Sequence, residues 1–132
     1  MFLTLALLKN KQKLLSVCKS YKRSDIAFVQ GKNISEKLEM NVAVDRGSLS
    51  QYASLFVSSD LSTDLKRVLY LDCDIIINQS IKELWDFDLQ GKTIGTLMDA
   101  FSKYYRANID LHENDVIFNS GVMLIALQKW RV

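Results

Sequence analysis

Proline is absent from this 132-residue sequence, where ordinary usage would supply about six or seven. Turns therefore fall to asparagine and to only five glycines. The two cysteines, Cys18 and Cys73, are far apart and form no Cys-X-X-Cys pair, which excludes a disulfide framework and a cysteine zinc site and fits a reducing, cytoplasmic setting. With one histidine, His112, no histidine-rich metal centre can form, and we read His112 as a surface residue. A net charge of +2 gives no broad electrostatic field for nucleic acid, and no DNA-binding motif is present. The longest opening apolar run, Phe2 to Leu8, is far short of the roughly 20 residues that span a bilayer. Its charges follow it, where those of a signal peptide would precede it. What remains is the composition of a globular domain, 48% apolar and 24% charged, long enough to bury roughly two-thirds of its unfolded surface.

Positive charge collects early, at Lys9, Lys11, Lys13, Lys19, Lys22 and Arg23. A solvated helix face explains it; the alternative is peripheral association with an anionic membrane, at its inner face. From Lys11 to Tyr21, Leu14, Leu15, Cys18 and Tyr21 recur at helical spacing. Ser24 to Gln30 then reads as a strand, residues 31–47 as loop, and Ser48 as the cap of a helix bearing Leu49, Tyr52, Ala53, Leu55 and Phe56. Val68 to Leu71 form an apolar strand that stops at Asp72, and Ile75 to Ile77 resume it after Asp74. Ile81, Leu84 and Trp85 predict a short helix. Thr93 to Met98 predict a strand ending at Asp99, and Val116 to Leu127 a mostly buried strand interrupted by Asn119, Ser120 and Gly121. Helix and strand alternate, as in an α/β fold.

The chemistry concentrates at Asp72-Cys73-Asp74. On an extended chain, residues two apart point to the same side, so both carboxylates would face one spot beyond a buried strand. Oxygen ligands favour magnesium or manganese over zinc, and such an ion takes one or two carboxylates and completes its shell with water and substrate phosphates. An apolar strand running into the pair would press two charges against the core at a cost of several kcal/mol, which a cation would relieve. Asp-X-Asp alone also occurs at solvated strand ends.

Three blocks in order raise the specificity: Arg67-Val-Leu-Tyr-Leu-Asp-Cys-Asp74, Ile81-Lys-Glu-Leu-Trp85, and Phe118-Asn-Ser-Gly-Val-Met-Leu-Ile125 followed by Lys129-Trp130-Arg131. Together they resemble the retaining glycosyltransferases of family 8, which include bacterial lipopolysaccharide galactosyltransferases and glycogenin. The resemblance is clear from about Ser48 to Arg131. It implies a GT-A-like (Rossmann-like) α/β fold, a mostly parallel sheet flanked by helices, that takes a UDP-sugar and transfers its hexose to a hydroxyl of a carbohydrate, glycolipid or glycoprotein acceptor with retention. It implies that Asp72 and Asp74 hold Mn²⁺ or Mg²⁺, with Cys73 between them at the donor site. Asp99 matches an acid that touches the donor sugar, and Asn119 with Gly121 the loop beside that sugar. Two bland readings stay open: Asp99 as a helix cap, and Asn119 with Gly121 as a strand bulge. Tyr104, Tyr105 and Arg106 read as exposed loop or as an acceptor-stacking surface.

The sequence departs from the family pattern in two respects. Where family members carry Tyr-X-Arg-Leu before the metal strand, with Arg approaching the nucleotide, this chain has Tyr52-Ala-Ser-Leu55, and Ser54 cannot supply that charge. Residues 1–132 also read as a partial catalytic domain, without the family's first nucleotide-binding strand and its closing histidine block. An incomplete sheet would expose apolar edges and favour self-association. Besides transfer, two alternatives follow: an inactive remnant or binding module of the same fold, and a haloacid-dehalogenase-like phosphatase with Asp72 as nucleophile, whose usual Thr or Val is here Ile76.

Overall fold

The computed structural model describes residues 2–3, 10–21, 25–29, 34–38, 50–106, 110–112 and 114–131. The chain divides into two compact units, one of residues 1–3, 66–130 and 132, the other of residues 4–65 with Arg131.

In the second unit, helix α1 (Lys11–Lys19) presents Leu14, Leu15 and Cys18 on its partly buried side and its lysines to solvent, as the spacing predicts. Asp25 to Val29, expected to be a strand, forms no ladder. Burial alternates along it, with Ile26 and Phe28 half-buried, but alternation makes a strand only where another edge accepts the hydrogen bonds. Within the stretch read as loop, Ile34–Leu38 is a helix, α2; the rest of 31–47, Ser48 and Leu49 lie outside the described residues. The predicted helix after them is a 3₁₀ helix over Ser50–Phe56, followed by α3 (Val57–Asp60), with Val57 and Leu61 buried.

Arg131 organises the next turn of this unit. Its guanidinium donates to the carbonyls of Ser58 (3.0 Å), Leu61 (3.2 Å), Ser62 (2.7 Å), Thr63 (3.1 Å) and Leu65 (3.0 Å). A rigid five-donor fork suits a loop whose carbonyls converge.

The first unit is built on a four-stranded sheet with strands β1 (Phe2–Leu3), β2 (Arg67–Leu71), β3 (Ile94–Met98) and β4 (Phe118–Ala126), in the order β1-β2-β4-β3. β1 pairs with β2 in parallel, while β4 is antiparallel to both β2 and β3. Three of the four strands thus point the same way, in keeping with a mostly parallel α/β sheet. The expected picture needs one correction: because β4 is reversed and inserted between β2 and β3, two of the three pairings are antiparallel. Residues 72–93 carry the chain from β2 to β3 through helix α4 (Lys82–Asp86), the crossover that strands of one direction require.

β2 and β4 are the inner strands of the sheet, and consecutive buried residues in each show that both faces are covered at their middle. Val68, Leu69, Tyr70, Met123, Leu124 and Ile125 form the floor of the core. Leu69, Leu124 and Leu89 cluster on one face, covered by Ile81 and Trp85 of the predicted helix segment. The Arg67 guanidinium donates to the Trp85 carbonyl at 2.8 Å and closes that helix. A turn at Gln90 and Gly91, both with positive φ (47° and 75°), starts the approach to β3, closed by the Lys92 amide on the Leu89 carbonyl (2.8 Å). Lys129 of α6 (Leu127–Trp130) donates to the Gly91 carbonyl. Among the described residues, no helix is long and apolar enough to cross a membrane.

Candidate functional site

β2 delivers Asp72. Its ladder with β4 runs from Arg67 opposite Ala126 to Leu71 opposite Val122, and the Asp72 amide adds a further bond to the Gly121 carbonyl at 2.9 Å. The strand ends there. Cys73 and Asp74 occupy a turn, and the Ile75 amide returns to the Asp72 carbonyl at 3.4 Å. Asp74 is therefore separated from Asp72 by a turn, and the alternation of an extended chain does not put the two acids on one side. Nor does a second β segment follow: residues 75–78 form no ladder, and Ile76 is 89% exposed.

Opposite Asp72, β4 changes register against β3. Thr96 lies opposite Met123, but the next residue, Leu97, lies opposite Asn119, so residues 120–122 are extra on the β3 side while pairing with β2 continues to Val122. The bulge reading of Asn119 and Gly121 thus describes their backbone. Asn119 Oδ1 accepts the Gly121 amide at 2.8 Å. A side chain at Gly121 would place Cβ 2.9 Å from Asp72 Oδ2 and 3.0 Å from Asn119 Oδ1. A Cβ here would push both oxygens away, whereas glycine lets them close over the backbone.

Asp99 ends β3 on the other flank of β4, its amide donating to the Ile117 carbonyl at 2.9 Å. Its Oδ1 accepts the Phe101 amide (2.8 Å) and its carbonyl the Ser102 amide (3.3 Å), so it also shapes the entry to helix α5 (Ser102–Tyr105). Because β2 and β3 run the same way, Asp72, Asp99, Asn119 and Gly121 meet at the carboxyl-end edge of the sheet, where open α/β sheets bind ligands.

Tyr70, read from sequence only as part of an apolar run, belongs to this constellation. Its ring is buried, and its hydroxyl donates to Asp72 Oδ1 at 3.0 Å. Burial, then the bond and charge of Asp72, push its phenol up to about 12. The signal was available in the spacing, since Tyr70 stands two residues before Asp72 on the same strand face.

Asp72, Cys73 and Asp74 are all exposed, so the desolvation cost expected for acids abutting the core does not arise: the turn carries them clear of it. Among the described residues, no group of three His, Cys, Asp or Glu side chains converges as a closed metal centre. The exposed Asp72 carboxylate beside a space that a Cβ would fill, with exposed Asp74 two residues on, does fit a hard cation that takes its remaining ligands from water and a diphosphate.

His112 is exposed, its amide donating to Asp115 Oδ2 at 2.7 Å. Tyr104, expected in a loop, is on short helix α5, 71% exposed, with the Lys103 ammonium 4.9 Å from its ring centre. Ser54 is buried in the 3₁₀ helix of the second unit.

A family model described as glycosyl transferase family 8 matches residues 6–132. The chain is similar to general stress protein A of Bacillus subtilis, 32% identical over 92 residues, which are 67% of this chain and 32% of that protein. It is also similar to the glycosyltransferase GlyD of Streptococcus pneumoniae, 32% identical over 87 residues covering 66% of this chain and 9% of GlyD. Among solved structures, the galactosyltransferase LgtC in complex with donor and acceptor sugar analogues superposes with a TM-score of 0.72 at 28% identity, over 92% of this chain and 45% of LgtC. The chain spans about a third or less of the length of these curated relatives.

Proposed function

Since the chain belongs to glycosyltransferase family 8, we propose that it carries the donor-diphosphate end of a sugar-transfer site, with Asp72 and Asp74 as holders of Mn²⁺ or Mg²⁺ and a UDP-sugar as donor. The observation that carries this reading is the junction of β2 and β4, where Asp72, Asn119 and Gly121 are tied within 3 Å at the carboxyl-end edge of the sheet. In the transfer, the bond from the anomeric carbon to the diphosphate breaks with its electron pair on the diphosphate oxygen, a bond to the acceptor hydroxyl oxygen forms on the same face, and that hydroxyl's proton passes to the departing diphosphate. The cation would supply charge neutralisation on the departing diphosphate. Asp99, at the end of β3, and Asn119, on β4, orient the sugar, and Gly121 leaves the clearance that seats the Asp72 and Asn119 oxygens. The acceptor is a carbohydrate or a glycolipid or glycoprotein glycan.

Titration of UDP with Mn²⁺ tests the site. The parent chain should bind tightly relative to Asp74→Asn, and equal affinity of the two would refute the metal role. A second reading, donor binding without turnover, is favoured by Ser54, a buried hydroxyl where family members carry a nucleotide-facing Arg. Mn²⁺-dependent UDP release from a UDP-hexose separates the two: turnover supports transfer chemistry, and binding without release supports the module.

A further inference from the structure

The two oxygens of Asp72 have different neighbours. Oδ1 accepts the Tyr70 hydroxyl at 3.0 Å, while Oδ2 lies over Gly121, 2.9 Å from where a Cβ would stand. Tyr70 is itself fixed, being 7% exposed in the central strand and paired opposite Met123. A carboxylate pinned at one oxygen by a rigid donor cannot turn both oxygens equally toward a cation, and the donated hydrogen bond lowers the basicity of the oxygen that receives it.

We propose that Tyr70 is a positioning residue that sets cation choice, holding Asp72 to single-oxygen coordination through Oδ2. The inference rests on the assignment of Asp72 to the cation made above. Its chemical consequence is selectivity. Mg²⁺, and by the same argument Mn²⁺, accepts one oxygen per carboxylate in a tight octahedron, whereas Ca²⁺ takes six to eight oxygens and readily uses both oxygens of a carboxylate. A hydroxyl on Oδ1 penalises the Ca²⁺ mode and leaves the octahedral mode intact. Removing the hydroxyl frees Oδ1 while the buried ring stays in place.

The experiment measures Mn²⁺ and Ca²⁺ affinities in the presence of UDP by titration, with Mn²⁺ electron paramagnetic resonance as a second readout, for the parent chain, Tyr70→Phe, Asp72→Asn and the double variant. For Tyr70→Phe we expect Mn²⁺ affinity to fall about three- to tenfold, with Ca²⁺ affinity unchanged or raised, so that the Mn²⁺/Ca²⁺ preference drops at least about fivefold. In the Asp72→Asn background, Tyr70→Phe should change Mn²⁺ affinity by less than about twofold, since no carboxylate remains to be oriented. A thermal melt separates loss of fold from loss of positioning. An unchanged Mn²⁺/Ca²⁺ preference in folded Tyr70→Phe overturns the inference while leaving the metal assignment standing. A full effect of Tyr70→Phe in the Asp72→Asn background overturns it too. If the parent chain binds no more Mn²⁺ than Asp74→Asn, the underlying assignment fails and the inference with it.

Discussion

Gly121→Ala separates space from backbone conformation at the site. Gly121 does not occupy the left-handed region, so alanine can adopt its backbone. The added Cβ, however, would meet Asp72 Oδ2 at 2.9 Å and Asn119 Oδ1 at 3.0 Å. Ordinary separation requires each oxygen to withdraw by about half an ångström. Asp72 is exposed and can rotate, but its Oδ1 bond to Tyr70 is then strained or lost, and Asn119 loses its hold on the Gly121 amide. One weakened hydrogen bond costs about 1 kcal/mol, partly offset by the reduced freedom of the unfolded alanine chain, so the melting midpoint should move little. The binding site should suffer more. An Asp72 oxygen displaced from its position is expected to lower affinity for UDP with Mn²⁺ about tenfold, or about 1.4 kcal/mol. Calorimetric titration of both proteins, with circular dichroism melts alongside, makes the comparison. An alanine variant that binds UDP and Mn²⁺ as the parent does would refute the argument that this glycine exists to seat the two oxygens.

Gly95→Ala should act on the fold alone: its Cβ would fall 2.7 Å from Leu89 Cδ2 in the cluster with Leu69 and Leu124, so overpacking should cost about 1 to 3 kcal/mol in urea unfolding, and an unchanged midpoint would contradict the packing. Arg131→Met removes all five bonds to the carbonyls of residues 58–65, with an expected loss of about 2 to 4 kcal/mol; Arg131→Lys should restore less than half, since one ammonium cannot reproduce the fork. For pH, the buried phenol of Tyr70, held near 12 against an ordinary 10, is protonated in the folded chain when the unfolded chain has already lost its proton. Its contribution is complete below about pH 10 and declines between about 10 and 12. Metal-free protein should lose stability across that interval, and Tyr70→Phe should remove this component of the slope.

Much of the first unit was legible in the sequence because its strands are central. Val68 to Leu71 and Met123 to Ile125 are apolar without alternation, the pattern of strands covered on both faces, and both form ladders where expected. Trp85 and Ile81 likewise marked a helix that packs on Leu69 and Leu124. The misread segments share a cause. Ile75 to Ile77 and Ile26 to Val29 have strand-like composition, yet a strand is completed by a partner edge, and a single segment carries no information about one. Asp72 and Asp74, candidates from sequence, were misplaced in conformation, since nothing in Asp-Cys-Asp distinguishes an extended chain from the turn that the Ile75 amide closes.

The position of the Asn119-Ser120-Gly121 block follows from the one strand that runs against the rest. β4 starts between the ends of β2 and β3, so its first residues border Asp72 on one side and Asp99 on the other. A regular strand there would keep a single register with both neighbours and alternate its side chains strictly across the sheet. The register change between Thr96 and Leu97 breaks that rule only on the β3 side, which lets Gly121 stay bonded to Asp72 while Asn119 pairs beside Leu97. A small residue is then needed where the backbone passes under the Asp72 carboxylate, and a side-chain carbonyl two residues earlier is needed to take the amide that the irregularity would leave unpaired. The motif is thus a statement about register, and its residue types are those that a reversed central strand requires when acids end the strands on both sides of it.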